Sequence, residues 1–357
     1  MDRQKVPASL DLLAKKVGSR IDKLLSTEIE RWSRLDSDLG EPLMFLKQMV
    51  LAGGKRLRPA FAYWAYVGAG GDPDQEEILS TGCALELLHS FAIIHDDIID
   101  ASHTRRGLVA IHKRFQDKHE GISWTGESRR FGEGVAILLG DMAFVYADKM
   151  LAGISVEAQS IFTELRLEVN IGQYLDLIGT ANAKAHPRIS RDQARKISLY
   201  KSGKYTVERP LHLGVALLGK LDQYQQRLSD YGIPLGEAFQ LRDDLLGSFG
   251  DKSVTGKPVG EDLREGKPTV LAAIAAERAE GSAKDFLKER FGAEDLSPEE
   301  IIRFQEIMTS TGAKKEVEVL IDSLCRDAID AIKKSGLSVP AIAELEELAN
   351  FVGNRIM

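Results

Sequence analysis

The sequence predicts an all-α fold, and three observations carry that expectation. Apolar residues recur at three- and four-residue spacing along nearly every long segment. No period-two run bounded by hairpin turns occurs. The composition, 43% hydrophobic and 28% charged with only 11 prolines, suits a globular chain able to bury a large core. At 357 residues the length alone would allow two domains. No linker-like shift in composition divides the chain, so a single domain over residues 1–357 is expected, with residues 1–10 poorly ordered.

Helices are expected over Leu10–Arg34 and over Glu76–Asp100, among other segments, and in the latter Leu85, Leu87, Leu88, Phe91, Ile93 and Ile94 build an apolar wall. The same period returns in Val135–Leu151, Ala158–Ile178, Asp192–Leu218 and Asp222–Leu246, and again after Pro298 and Ala313. Three breaks interrupt it. Lys113–Gly134 is rich in glycine, serine and charge, Ala181–Arg191 surrounds His186-Pro187, and Ser248–Thr269 is glycine-rich with two prolines. Loops of that length inside a helical domain are more often functional than idle.

Composition also narrows function. A net charge of −7 gives no overall field for nucleic acid. Cys83 and Cys325 stand far apart, outside any metal-ligand spacing, as in a reducing compartment. The charged N-terminus lacks the apolar core of a secretory signal. No apolar run approaches the roughly 20 residues of a membrane-spanning helix. These features together predict a cytoplasmic protein without a transmembrane segment.

Chemistry concentrates in residues 89–107, HSFAIIHDDIIDASHTRRG. On a helix Asp96 and Asp100 stand one turn apart, with Asp97 near Asp100. Hard cations such as Mg²⁺ take one or two carboxylates and complete their shell with water and phosphate. A lone DDxxD is often only a solvated acidic face. Here a second pair, Asp243 and Asp244, lies in FQLRDDLLG, with Gln240 one turn before it. Two such pairs on apolar helices repel each other unless cations intervene.

Cationic groups surround both motifs. Arg105, Arg106 and Gly107 follow the first, Lys55 and Arg58 lie in GGKRLRP, and Lys201 and Ser202 lie in KSGK. Lys257 and Lys267 each occupy a Gly-Lys-Pro triplet. Such clusters in an acidic protein suit polyanionic substrates. His89 lies two turns before Asp96 on the same face. Glu86 and His89 also fit the Glu-x-x-His of di-iron bundles, but that reading needs a second copy, and none occurs.

These motifs, in this order, resemble those of the trans-isoprenyl diphosphate synthases, the polyprenyl synthetase family, most of all the geranylgeranyl diphosphate synthases. The likeness runs from about Leu43 to Thr269 through GGKRLRP, DDIIDASHTRRG, DDLLG and GKPVGEDLREGKPT. It implies an orthogonal helical prism around a deep central cavity, usually as a homodimer. It implies a Mg²⁺-dependent prenyltransferase, with three ions and Mn²⁺ able to substitute, that joins isopentenyl diphosphate to dimethylallyl, geranyl or farnesyl diphosphate.

Carried onto this chain, the resemblance makes Asp96, Asp100 and Asp243 the Mg²⁺ ligands, supported by Asp97 and Asp244. It assigns Arg105, Lys201, Lys257 and Lys267 to the allylic diphosphate, and Lys55, Arg58, His89 and Arg106 to isopentenyl diphosphate. Gln240 and Ser202 would line the site of the developing cation. Gln173 and Asp176 also match a family segment. One departure stands out: Gly247 replaces the usual third aspartate of the second motif, and Asp244 or Asp251 is expected to compensate.

The implied chemistry is loss of diphosphate to an allylic cation, attack by the isopentenyl double bond, and loss of a proton to the released diphosphate. No protein nucleophile is required. Chain length should be set by Ala92, Phe91, Leu88 and Leu85, and a small Ala92 beside an aromatic Phe91 resembles the twenty-carbon type. A terpene cyclase would not need GGKRLRP, His89 and Arg106. A non-catalytic helical partner subunit would tend to lose the aspartates.

Overall fold

The computed structural model describes residues 6–185, 190–250 and 260–354. His186, Pro187, Asp251 and Lys257 fall outside these, as do residues 1–5. Among the described residues the regular structure is helical apart from one hairpin of two two-residue strands. It forms two compact units, one holding Ala8–Tyr63 and Asp72–Ile154, the other Trp64–Gly71 and the described residues from Ser155 onward.

In the first unit, α1 (Ala8–Ser33) buries Leu10, Leu13, Val17, Ile21 and Leu25, the every-third-or-fourth stripe that its sequence prescribes. A 3₁₀ turn capped by Asp36, whose carboxylate accepts from Asp38 N at 2.9 Å, leads into α2 (Gly40–Leu51). Next come α3 (Leu57–Gly68), which crosses in sequence from the first unit to the second, and α4 (Glu76–Ile99). Contrary to the expectation from sequence, α4 is long and apolar enough to cross a membrane, but 67% of its most apolar stretch is buried within the protein, as suits a core helix. β1 (Thr104–Arg105) and β2 (Leu108–Val109) form the hairpin, followed by α5 (Ile111–Gly121) and α6 (Ser128–Met150).

The break expected over Lys113–Gly134 is therefore mostly helix. α5 buries only Ile111, His112, Phe115 and His119 among charged residues, too few apolar positions for its period to show. The helices over Gly40–Leu51 and Leu57–Gly68 likewise have no clear period in the sequence, although Pro59 of GGKRLRP suits the first turn of a helix. The second, LRPAFAYWAYVG, is apolar nearly all round and has no polar face to reveal a period.

The second unit continues with α7 (Val156–Ala185) and α8 (Arg191–Ser198), the latter capped by Ser190. A ten-residue π-helix, Leu199–Glu208, leads straight into α9 (Arg209–Ala216). Then come α10 (Leu221–Phe249), a short α11 (Glu261–Glu265), α12 (Val270–Arg278), α13 (Gly281–Arg290), α14 (Pro298–Ser310), α15 (Ala313–Ile332) and α16 (Val339–Gly353). α10 packs on α15 and on the π-helix, and α7 also packs on the π-helix. The second break thus shrinks, because α7 runs on to Ala185, and the third holds the short α11.

Candidate active site

The first aspartate motif sits at the C-terminal end of α4. Asp96 and Asp97 lie in its last turns, and Asp100 caps it, its N–H donating to Asp96 O at 2.8 Å. Beyond the cap the chain enters the hairpin, and Arg105 reaches back. Its Nε donates to Asp97 Oδ1 at 2.7 Å and its Nη2 to Asp96 Oδ2 at 3.4 Å. Burial works against the Arg105 charge, but the carboxylates of Asp97, Asp96 and Asp100 outweigh it and raise its pKa further. Asp97 is buried and held by this guanidinium, so it braces the arginine turn, while Asp96 and Asp100 stay half-buried.

Behind the motif lies a knot of cations. Arg56, at a positive φ of 52°, is buried, forms an ion pair with Glu86 of α4 and donates to Val50 O at 2.7 Å. Arg56 belongs to the cationic GGKRLRP run, but the resemblance assigns it no role. The signal was available: a glutamate inside a leucine-rich helix is almost never fully buried unless paired. Glu86 thus serves Arg56 rather than a metal. Arg106 donates to Met49 O at 3.5 Å, Arg58 is half-buried and Lys55 is exposed. Burial holds His89 well below its usual pKa, and Arg58, Arg106, Arg56 and Arg105 push in the same direction. Burial also lowers Arg106; Glu86 opposes this, while Arg56, Arg58 and Arg105 add to it. Cations that depress one another in this way are suited to receive a multiply charged anion.

Of the proposed chain-length residues, Phe91 and Ala92 are half-buried, whereas Leu88 and Leu85 are fully buried core.

In the second unit, Lys201 and Ser202 sit on the π-helix, a form often found at functional sites. Lys201 Nζ donates to Asp176 Oδ2 at 2.6 Å, and Lys204 and Arg209 both bind the buried Glu168 two turns earlier on α7. Gly172, between those carboxylates, permits this approach, since a Cβ there would overlap the Lys201 backbone. Gln173 neighbours it.

The second aspartate pair lies near the end of α10. Gln240, expected beside the developing cation, donates to Asp244 Oδ1 at 2.7 Å. Asp244 is buried, and burial, then Asp262 and Asp243, hold its pKa well above the ordinary carboxylate value, with Gln240 opposing. Asp243 is half-buried. A Cβ on Gly247 would overlap Asp262 Oδ2 and lie 2.8 Å from its Cγ. The carboxylate of Asp262, from GEDLREGK, therefore fills the space of the missing aspartate side chain. Sequence reasoning had looked for that compensation at Asp244 or Asp251. Lys267 lies 3.8 Å from Asp262 Oδ1 and 2.6 Å from Glu265 Oε2.

The donors fit Mg²⁺. Among the described residues no three His, Cys, Asp or Glu side chains form a cage. Small open carboxylate sets are what an ion sharing its shell with water and substrate phosphate uses.

The polyprenyl synthetase family model matches residues 43–308. A geranylgeranyl diphosphate synthase of Sulfolobus acidocaldarius is 30% identical over 319 residues, covering 85% of this chain and 88% of the relative. A geranylfarnesyl diphosphate synthase of Aeropyrum pernix is 30% identical over 315 residues, covering 85% and 90%. The solved structure of a geranylgeranyl pyrophosphate synthase from Corynebacterium glutamicum, complexed with isoprenyl diphosphate and magnesium, is similar at a TM-score of 0.91 with 36% identity, covering 97% of this chain and 99% of that one. With two aspartate motifs and the cationic clusters beside them, these likenesses lead to one conclusion: the chain belongs to the polyprenyl synthetase family and is a trans-prenyl diphosphate synthase of the all-α isoprenoid synthase fold.

Proposed function

We propose that this synthase extends allylic diphosphates with isopentenyl diphosphate and stops at geranylgeranyl diphosphate. The observation that carries the reading is the pairing of a half-buried aromatic, Phe91, with a small Ala92, one turn and slightly more before Asp96. The growing chain would pass Ala92 and end against the Phe91 ring. Leu88 and Leu85, three and six residues before Phe91 on α4, are fully buried core. The geranylgeranyl names among the relatives favour the same length.

The chain's own groups then divide the work. Lys55, Arg58, Arg106 and neutral His89 hold the isopentenyl diphosphate, with Arg56 and Glu86 fixing the shape of that pocket. Lys201, Lys257 and Lys267 would hold the allylic diphosphate and stabilise charge as it leaves, and the resemblance gives the same role to Arg105, which is anchored on Asp97. Ser202 and Gln240 line the site of the developing cation. Asp96 and Asp100, supported by Asp97, would hold Mg²⁺ at the first motif, and Asp243, supported by Asp244, at the second; three ions are expected, with Mn²⁺ able to substitute. Asp262 provides the carboxylate that Gly247 lacks. When bound, the ions supply Lewis-acid neutralisation of the departing diphosphate. The apolar wall of α4 keeps water from the cation, and the released diphosphate takes the proton.

A homodimer suits two exposed apolar faces. On α7, Leu167, Ile171, Tyr174 and Ile178 follow helical spacing and are 38–63% exposed; α6 exposes Ile137, Leu138 and Val145. The test of product length is chromatography of the dephosphorylated products. Ala92→Phe should shorten them towards farnesol, and Phe91→Ala should lengthen them. An unchanged length in both variants would place the floor elsewhere.

A further inference from the structure

We infer that Phe144 is a positioning residue for product length: with His95 it clamps the Phe91 ring, and the bare backbone of Gly140 is what admits His95 to the clamp. This rests on Phe91 being the stop proposed above. Phe91 and His95 lie one turn apart on one face of α4, and Gly140 and Phe144 lie one turn apart on α6, which packs along it. The Phe91 ring meets Phe144 edge-on, with centroids 4.9 Å apart and planes at 62°. It meets the His95 ring at 4.6 Å and 59°. His95 is itself fixed, its Nε2 lying 3.2 Å from Ile137 O and 3.7 Å from Asp141 Oδ1. A Cβ on Gly140 would overlap the His95 ring, so no larger residue leaves that ring in place.

A floor acts as a stop only if it does not swing aside when a chain presses on it. Tilted rings on two sides restrict rotation of Phe91 about its side-chain bonds more than aliphatic neighbours would, because the ring quadrupoles favour those angles. Phe144 therefore acts through Phe91 and need not touch the substrate. Simple core packing at Phe144 would affect stability and leave product length alone.

The test compares product profiles from farnesyl diphosphate and excess isopentenyl diphosphate with Mg²⁺. Phe144→Ala should move the majority of product beyond twenty carbons, as Phe91→Ala should. The double variant should go no further than Phe91→Ala alone. Phe144→Tyr, which keeps the ring edge, should retain the wild-type length. Phe144→Leu, which keeps bulk and protects the fold if the alanine variant does not fold, should give a mixture of twenty-carbon and longer products. If Phe91→Ala lengthens the product while Phe144→Ala and Phe144→Leu leave it unchanged, the clamp is wrong and the Phe91 floor stands. A double variant longer than either single one would make Phe144 an independent stop and overturn the clamp. No change in Phe91→Ala would remove the floor, and the clamp with it.

Discussion

Replacing Gly247 by aspartate would write the second motif out in full, and the structure predicts that the protein is weakened by it. The methyl of Gly247→Ala already meets Asp262, 2.8 Å from Cγ and 3.4 Å from Oδ1. Turning that carboxylate off its rotamer costs about 0.5–1.5 kcal/mol. Removing a glycine from a helix returns about 0.5–1 kcal/mol. The alanine variant should therefore lie near wild type. Aspartate adds a charge beside Asp262, Asp243 and Asp244, where burial first, and then Asp262 and Asp243, already raise the pKa of Asp244. Two unit charges about 4 Å apart at an effective dielectric of about 20 repel by about 4 kcal/mol, and protonation caps that figure. Gly247→Asp should thus lose about 2–4 kcal/mol relative to Gly247→Ala in urea unfolding with EDTA. The loss should shrink when Mg²⁺ and inorganic diphosphate are added, and Asp262→Gly in the same chain should recover it. A Gly247→Asp protein as stable as Gly247→Ala in EDTA would refute the claim that Asp262 occupies the missing side chain's place.

Two further outcomes follow from the cationic knot. Glu86→Ala should destabilise by about 3–5 kcal/mol in denaturant unfolding, because it leaves the Arg56 charge buried without its partner; a loss under about 1 kcal/mol would mean the pair is dispensable. His89 has its folded pKa depressed below 6.5, so below that pH the unfolded chain binds the proton that the folded one resists. Stability should fall as pH drops through about 6.5, by up to about 1.4 kcal/mol per unit for this group. His89→Gln should flatten that slope between pH 7.5 and 5.5, and an unchanged slope would assign it to other groups.

What could be read from the sequence differed by element. Long helices with one buried stripe, such as α1 and α10, declared themselves through period. α5 did not, because its four buried positions are scattered among charges, nor did α3, which has no polar face. The π-helix was invisible because its residues continue an ordinary helical pattern across Asp192–Leu218. Within the site, the charged motifs were legible from residue type and spacing, because diphosphate and Mg²⁺ demand carboxylates and cations. Their partners were not. That Arg105 anchors on Asp97, that Arg56 pairs with Glu86, and that Asp262 fills the place beside Gly247 depend on where separate segments come together, as does the seat of Phe91 between His95 and Phe144.

The most direct measurement is incubation of the wild-type chain with Mg²⁺, labelled isopentenyl diphosphate and farnesyl diphosphate, followed by dephosphorylation and chromatography. Geranylgeraniol as the main labelled product, abolished by excess EDTA and by Asp96→Ala, is the result expected. A cyclic hydrocarbon, no turnover with Mg²⁺, or full turnover in EDTA would contradict the account at its centre.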